Sequence, residues 1–198
     1  DLRKEKLTSL WNRFKVYIIS ITLLLIISVS VYQYLEISEY NEKVSTIESY
    51  YKASNNGSID EILGKLETIK TSNEFSQNLI DLKMADIHLV KGDIELGLEK
   101  LEQIFKSKKK SILGDLALYK YLMFKIDEIT LNEVNNLIED FNSKENNFNF
   151  LFSELLGIKN IIDGKYSEGK LIFESLLNDA SVSNELKIRA EKYINIIN

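Results

Sequence analysis

The chain has no cysteine and no proline, and only one histidine and one tryptophan in 198 residues. Without cysteine there is no disulfide framework and no thiol nucleophile. With His88 alone, a His-pair metal site and a Cys–His dyad are excluded. His88 falls where a large ring packs between helices and is read as a packing residue. No glycine is followed by Lys-Ser or Lys-Thr at the spacing of a phosphate-cradling loop. Asp60-Glu61 and Glu139-Asp140 are adjacent carboxylates, but neighbours on a helix point different ways. They read as solvated faces. No catalytic residue, cofactor, metal or small-molecule substrate is expected. A basic excess is also missing: the net charge is −5, and the residues after position 35 carry −8. That argues against a nucleic-acid partner. The missing proline, with abundant Ile, Lys and Asn, reads as AT-rich coding rather than function. The chain begins at Asp1, so residues upstream are expected.

What the chain does have is one long apolar run, Val16 to Leu35, with no charge and no glycine. Twenty helical residues at about 1.5 Å each cover the roughly 30 Å core of a bilayer. The only polar relief is Ser20, Thr22, Ser28, Ser30 and Gln33. A buried soluble helix would show a polar stripe; a cleaved signal peptide would have a shorter core and a better small-residue site than Ser28-Val-Ser30. The run reads as a membrane span. Arg3, Lys4, Lys6, Arg13 and Lys15 precede it, and Glu36, Glu39 and Glu42 follow, so the N-terminus is expected inside. Trp11, Phe14 and Tyr17 at one end and Tyr32 and Tyr34 at the other suit interfacial belts. Residues 1–15 read as a cytoplasmic basic lead-in, amphipathic or simply the first turns of the span. Residues 36–198 are placed outside, in a bacterium the periplasm.

Beyond the span, Ile37, Tyr40, Val44, Ile47 and Tyr51 follow a 3-4-3-4 spacing. The span should therefore continue as one helix to about Ala53, with this stripe packing on the next helix or on a second chain. Asn55-Asn56-Gly57 breaks it. Ser58-Ile-Asp-Glu61, Thr71-Ser-Asn-Glu74 and Thr130-Leu-Asn-Glu133 read as capping boxes opening helices. The first should bury Ile59, Ile62, Leu63, Leu66 and Ile69. After the turn at Gly92-Asp93, a helix to about Lys106 should bury Ile94, Leu98, Leu101 and Ile104 or Phe105. Lys106 to Lys110 reads as a basic turn, solvated or touching an anionic partner. The next helix should turn Leu113, Leu116, Tyr119 and Met123 inward. Asn142 to Asn147 is a polar loop. Helices over 148–162, 165–177 and 184–197 complete the chain. No segment alternates as a half-buried strand does, so the fold class is all-α.

The helices repeat. Gly92-Asp-Ile94-Glu-Leu-Gly97 matches Gly164-Lys-Tyr166-Ser-Glu-Gly169, 72 residues later, and Gly57-Ser-Ile59 gives a partial copy 35 residues earlier. A degenerate copy is expected near Asp127 to Val134. A period of about 34 with two helices per unit is that of the tetratricopeptide repeat (TPR). Seven residues before each turn glycine, Ala85 and Gly157 occupy the small position. Gly97 and Gly169 allow close approach, and Leu101 and Phe173 fill the space between units. The usual Pro and Trp of the repeat are absent, so the expected architecture is a TPR-like α-solenoid of about four hairpins plus a capping helix; an irregular helical bundle is the alternative. First helices should line a concave partner-binding side that includes Tyr119 and Tyr121.

The lead-in Asp-Leu-Arg-Lys-Glu-Lys-Leu, then Leu10-Trp11-Asn12-Arg13-Phe14, one span, Tyr32-Gln-Tyr34 and a TPR-like domain together resemble the YfgM-type ancillary subunits of the SecYEG translocon. The resemblance implies an inner-membrane protein whose periplasmic domain assists chaperone handover of exported proteins. Its partners would be translocon subunits or exported chains, with lipid around the span. Two alternatives stand beside it. One is a scaffold subunit of another envelope assembly, such as cytochrome maturation or outer-membrane protein insertion. The other is a structural homo-oligomer held by the span and the stripe from Ile37 to Tyr51.

Overall fold

The computed structural model describes the backbone of residues 2–107, 110–142 and 148–197, and the side chains of these from Leu24 onward. The described residues are all-helical: α1 (Leu2–Asn55), α2 (Ile59–Thr68), α3 (Glu74–Lys91), α4 (Ile94–Phe105), α5 (Ile112–Lys125), α6 (Leu131–Phe141), α7 (Phe148–Ile162), α8 (Tyr166–Asn178) and α9 (Asn184–Ile197). No strand occurs among them.

Local sequence sets most boundaries. Ser58 and Thr130 each accept a backbone N–H from the third residue of their helix, while Glu61 and Glu133 reach back to the cap N–H. The third expected box is displaced. The cap of α3 is Asn73, which accepts from Ser76 N–H at 3.0 Å. Thr71 stands outside the helix and donates to Glu42. Asn and Thr both cap helices, and the residue nearer the first turn takes the role.

Two turns are built alike, 72 residues apart. Gly92 and Gly164 have φ of 89° and 74°, a left-handed conformation that glycine adopts without strain. Asp93 N–H reaches His88 O at 2.9 Å, and Lys165 N–H reaches Asn160 O at 2.8 Å. Each glycine N–H bonds three residues back, completing a Schellman closure in both. Between them, α5 and α6 join through the longer, glycine-free stretch Ile126 to Thr130.

After each glycine turn the chain folds back antiparallel. A Cβ on Gly97 would stand 2.6 Å from Leu89 and 3.1 Å from Ala85 O; one on Gly157 would stand 2.7 Å from the Phe173 ring. These helix pairs therefore pack at a distance that side chains would forbid. The main core joins Leu82, Ala85, Leu101, Leu118, Leu122, Val134, Phe152 and Leu155. A second cluster, Ala53, Leu66, Ile80, Met84 and Ile87, seats the end of α1 on α2 and α3. A third, around Phe173 and Ala190, seats α9 on α8.

Several expected core positions lie elsewhere. Ile59 and Ile94 are exposed. Both are the first residue of their helix, where the Cβ tilts past the helix end and no preceding turn covers it. Met123 is exposed, while Ala117, Leu118 and Leu122 are buried in its place. The stripe Ile37, Tyr40, Val44, Ile47 and Tyr51 does not pack on the next helix; its side chains are 39–68% exposed. Instead α1 turns Thr46, Tyr50 and Ala53 inward, with Glu42 hydrogen-bonded to the α2–α3 link. Thr71 and Ser72, just before α3, present hydroxyl and N–H donors, and Glu42 on the polar side of α1 accepts from both.

The expected span straddles the described side chains: residues 16–23 lie outside them. Among the described residues no helix is long and apolar enough to cross a membrane. Its described part, from Leu24 to Leu35, is helical, and its large apolar side chains are 50–72% exposed.

Candidate functional site

Helix α5 packs on both α3 and α7, and α9 reaches α7 through Arg189. Their contacts recur at nearly constant separation. Lys120 Nζ on α5 pairs with Asp86 on α3 at 2.6 Å, 34 residues away. Tyr119 on α5 meets the Phe148 and Phe152 rings on α7 edge-on, centroids 6.4 Å apart. Arg189 on α9 grips Glu154 on α7 through two parallel bonds of 2.6 and 2.8 Å, 35 residues apart. The Glu154 side chain is only 3% exposed. The fork geometry and the buried acceptor make this the strongest polar tie between first helices. It holds the Arg189 guanidinium above its usual range, chiefly through the Glu154 hydrogen bond. Tyr119 and Tyr193 beside it are pushed up by burial first and by the Glu154 charge second.

The two tyrosines expected on one concave face are separated. Positions two apart on a helix point to opposite sides. Tyr119 faces α7, whereas Tyr121 stacks edge-on against Phe105 of α4, centroids 5.3 Å apart. Both are half-buried against the main core. The face of α5 between them carries Lys120, Met123 and Phe124, of which the last two are exposed. One turn beyond the paired Asp86 stands the exposed Val90, as Phe124 stands one turn beyond Lys120. The Asp86–Lys120 ion pair is thus flanked by three exposed apolar side chains, Val90, Met123 and Phe124. Sequence reasoning passed over it because α5 is apolar nearly all round, which hides its free side. The signal that finds it is opposite charge 34 residues apart, at Asp86 and Lys120.

The expected repeat-packing residues fall as follows. Ala85, Leu101 and Phe173 are fully buried, Gly97 and Gly157 sit at the close approaches given above, and Gly92 and Gly164 make the two turns. Gly169 lies where a Cβ would be 3.0 Å from Gly157 O, on the facing helix. His88 is buried, with Nδ1 3.4 Å from an Asp93 oxygen. Lys108 and Lys109 of the basic turn, and Ser143 to Asn147 of the polar loop, lie outside the described residues.

A groove of about 660 Å³ lies between α1 and α2 and is lined by Thr46, Ser49, Lys52, Lys65 and Lys70. Two of its lysines are occupied: Lys52 pairs with Glu48 at 2.7 Å, and Lys65 donates to Asn56 O at 2.6 Å. Among the described residues no three His, Cys, Asp or Glu side chains converge as metal ligands would.

No protein-family model matches this chain, and no curated protein or solved structure matches it significantly.

Proposed function

We propose that this chain is a membrane-tethered protein-interaction module. In this reading residues 16–35 form a single-pass span with the N-terminus in the cytoplasm. Residues 36–198 form a TPR-like stack of hairpins in the periplasm, capped by α9. The observation that carries the reading is the segment Leu24–Leu35. It carries no charge, is apolar but for Ser28, Ser30 and Gln33, and is exposed throughout, on a helix that runs without a break into the folded domain. Such a surface in water needs a cover, and lipid is the cover that suits an uncharged helix exposed all round. The repeat reading is supported by the matched glycine turns and by side-chain contacts that recur every 34–35 residues. Stacked units of that kind bind partners along their first helices. Tethering beside the partner raises the effective concentration, so modest contacts at Val90, Met123 and Phe124 suffice. With the resemblance to the YfgM-type subunits, the partner of choice is the translocon or a chain emerging from it.

The test is site-specific photo-crosslinking of the full chain in native membranes. The probe stands at the exposed Phe124, not at the packed Tyr121, and the control stands at Lys165 in the α7–α8 turn. Adducts with translocon subunits or newly exported chains from Phe124 alone are expected. A single discrete adduct with another envelope protein would replace this reading with a scaffold for that assembly.

A further inference from the structure

We infer that the exposed apolar stripe of α1 is a dimer seam, and that its occupant is the same stripe of a second copy in parallel register. The stripe Ile37, Tyr40, Val44, Ile47 and Tyr51 lies roughly opposite the Thr46–Tyr50–Ala53 face that holds α1 to its own domain. A second helix therefore reaches it without displacing α2 or α3.

Three observations choose a second copy. The first is side-chain shape. Assigning Ile37, Val44 and Tyr51 to the a positions and Tyr40 and Ile47 to the d positions places two β-branched residues at a, the preference of parallel two-stranded coils.

The second is charge. In parallel register the g position Lys43 of one chain faces the e position Glu48 of the other, and the pair is repeated by symmetry. In the single chain these groups rest on weak contacts. Lys43 Nζ lies 5.0 Å over the Phe75 ring, and Glu48 pairs with the exposed Lys52 one turn on. Both are free to turn to a new partner.

The third is continuity. Carried upstream at the same spacing, the seam takes in Gln33, Ser30 and Ile26. Two of the three polar residues in the exposed apolar segment thus stand on the line of the seam. Ser and Gln side chains in lipid bond across helix pairs, and small residues let the helices close. Two heptads alone are short for a stable coil. From Ile26 to Tyr51 the same line covers about 38 Å at 1.5 Å per residue.

The parallel orientation rests on the membrane tether proposed above; the position of the seam does not. The absence of native cysteine makes the test direct. The full chain carrying Tyr40→Cys, Ile47→Cys or, as control, Ser38→Cys is placed in phospholipid vesicles and mildly oxidised. Disulfide dimers are expected at Tyr40→Cys and Ile47→Cys, with at least about tenfold less at Ser38→Cys, which faces away. Adding Ile47→Asp to Tyr40→Cys should lower the yield about tenfold, equivalent to about 1.4 kcal/mol. Ile47 is exposed in the single chain, so the helix content of that variant by circular dichroism should match the parent. Equal yields at all three sites would mean random collision and overturn the seam. Dimers formed only when Ile37→Cys and Tyr51→Cys chains are mixed would overturn the parallel register. In native membranes, a disulfide to a different protein in place of the dimer would overturn the second copy. Flotation of the same vesicles reads the tether separately, so a tethered monomer sinks this inference alone.

Discussion

The α7–α8 hairpin and the α1–α2 corner meet the same need, holding one helix pair against the next, by different means. In α7–α8 a glycine gives way to a ring: Phe173 fills the hollow over Gly157, and both are out of solvent. At α1 the contact is mostly polar. Glu42 accepts from Thr71 Oγ1, from Ser72 N–H at 2.6 Å and from Ser72 Oγ. Only Tyr50 and Ala53 add apolar area. The lesson is that α1 turns its polar face to its own domain and leaves the apolar stripe from Ile37 to Tyr51 exposed.

The sharpest way to break the comparison is to delete the apolar filler on one side and the apolar stripe on the other. Phe173→Ala should cost about 4 kcal/mol of unfolding free energy, because a fully buried ring leaves a cavity over a glycine that cannot collapse into it. Ile47→Asp should change the stability of the single domain by less than about 0.5 kcal/mol, as exposed substitutions do. Denaturant unfolding of both variants measures the contrast. Equal losses would mean that the stripe packs on its own domain after all.

How much of this was legible beforehand follows the range of the interactions. The capping boxes at Ser58 and Thr130, and the glycine turns at 92 and 164, are local chemistry, and the sequence patterns there coincide with the structure. The long continuation of α1 was legible too, since nothing breaks it before Asn55. The faces were harder. Which stripe of α1 packs inward depends on donors at Thr71 and Ser72, 29 and 30 residues from Glu42, and no periodicity within α1 contains that information. For α5 the apolar residues surround the axis, so neighbours alone decide that Leu118 and Leu122 go inside while Met123 does not. Tyr119 and Tyr121 were a different kind of miss. Their spacing alone puts them on opposite sides, a geometric fact that outweighs their chemical likeness.

A middle-sized effect tests the tie at the far end of the stack. Arg189→Met keeps the length of the side chain and removes the fork on Glu154. The carboxylate is then left buried without its partner, a loss of about 2 kcal/mol. Replacing both, Glu154→Leu with Arg189→Met, should recover part of that loss, because a buried pair is often no better than apolar groups of the same size. If the single and double variants unfold together, the tie is ornamental and α9 is held by Phe173 and Ala190 alone.

The smallest expected effect concerns Glu42, and pH reads it. Its carboxyl is held below the ordinary 4.5, first by the Ser72 N–H, then by the Ser72 and Thr71 hydroxyls. A carboxyl with a depressed folded value adds stability above the unfolded value, near 4.5, and loses it as pH falls through the lower folded value. Acidification should therefore loosen α1 from the start of α3 while the Phe173 side of the molecule is untouched. The observable is the hydrogen-exchange protection of the Ser72 amide, corrected for its intrinsic rate. Protection should fall below pH 4.5 in the parent and be low and pH-independent in Glu42→Gln. Glu133 supplies the internal control. Its carboxyl is also held down, by the Thr130 N–H and hydroxyl, but that contact lies within one helix start. Its titration should fray the first turn of α6 without moving α1. If Ser72 stays protected through acidification, Tyr50 and Ala53 alone hold α1 in place, and the division between its polar and apolar faces is weaker than drawn here.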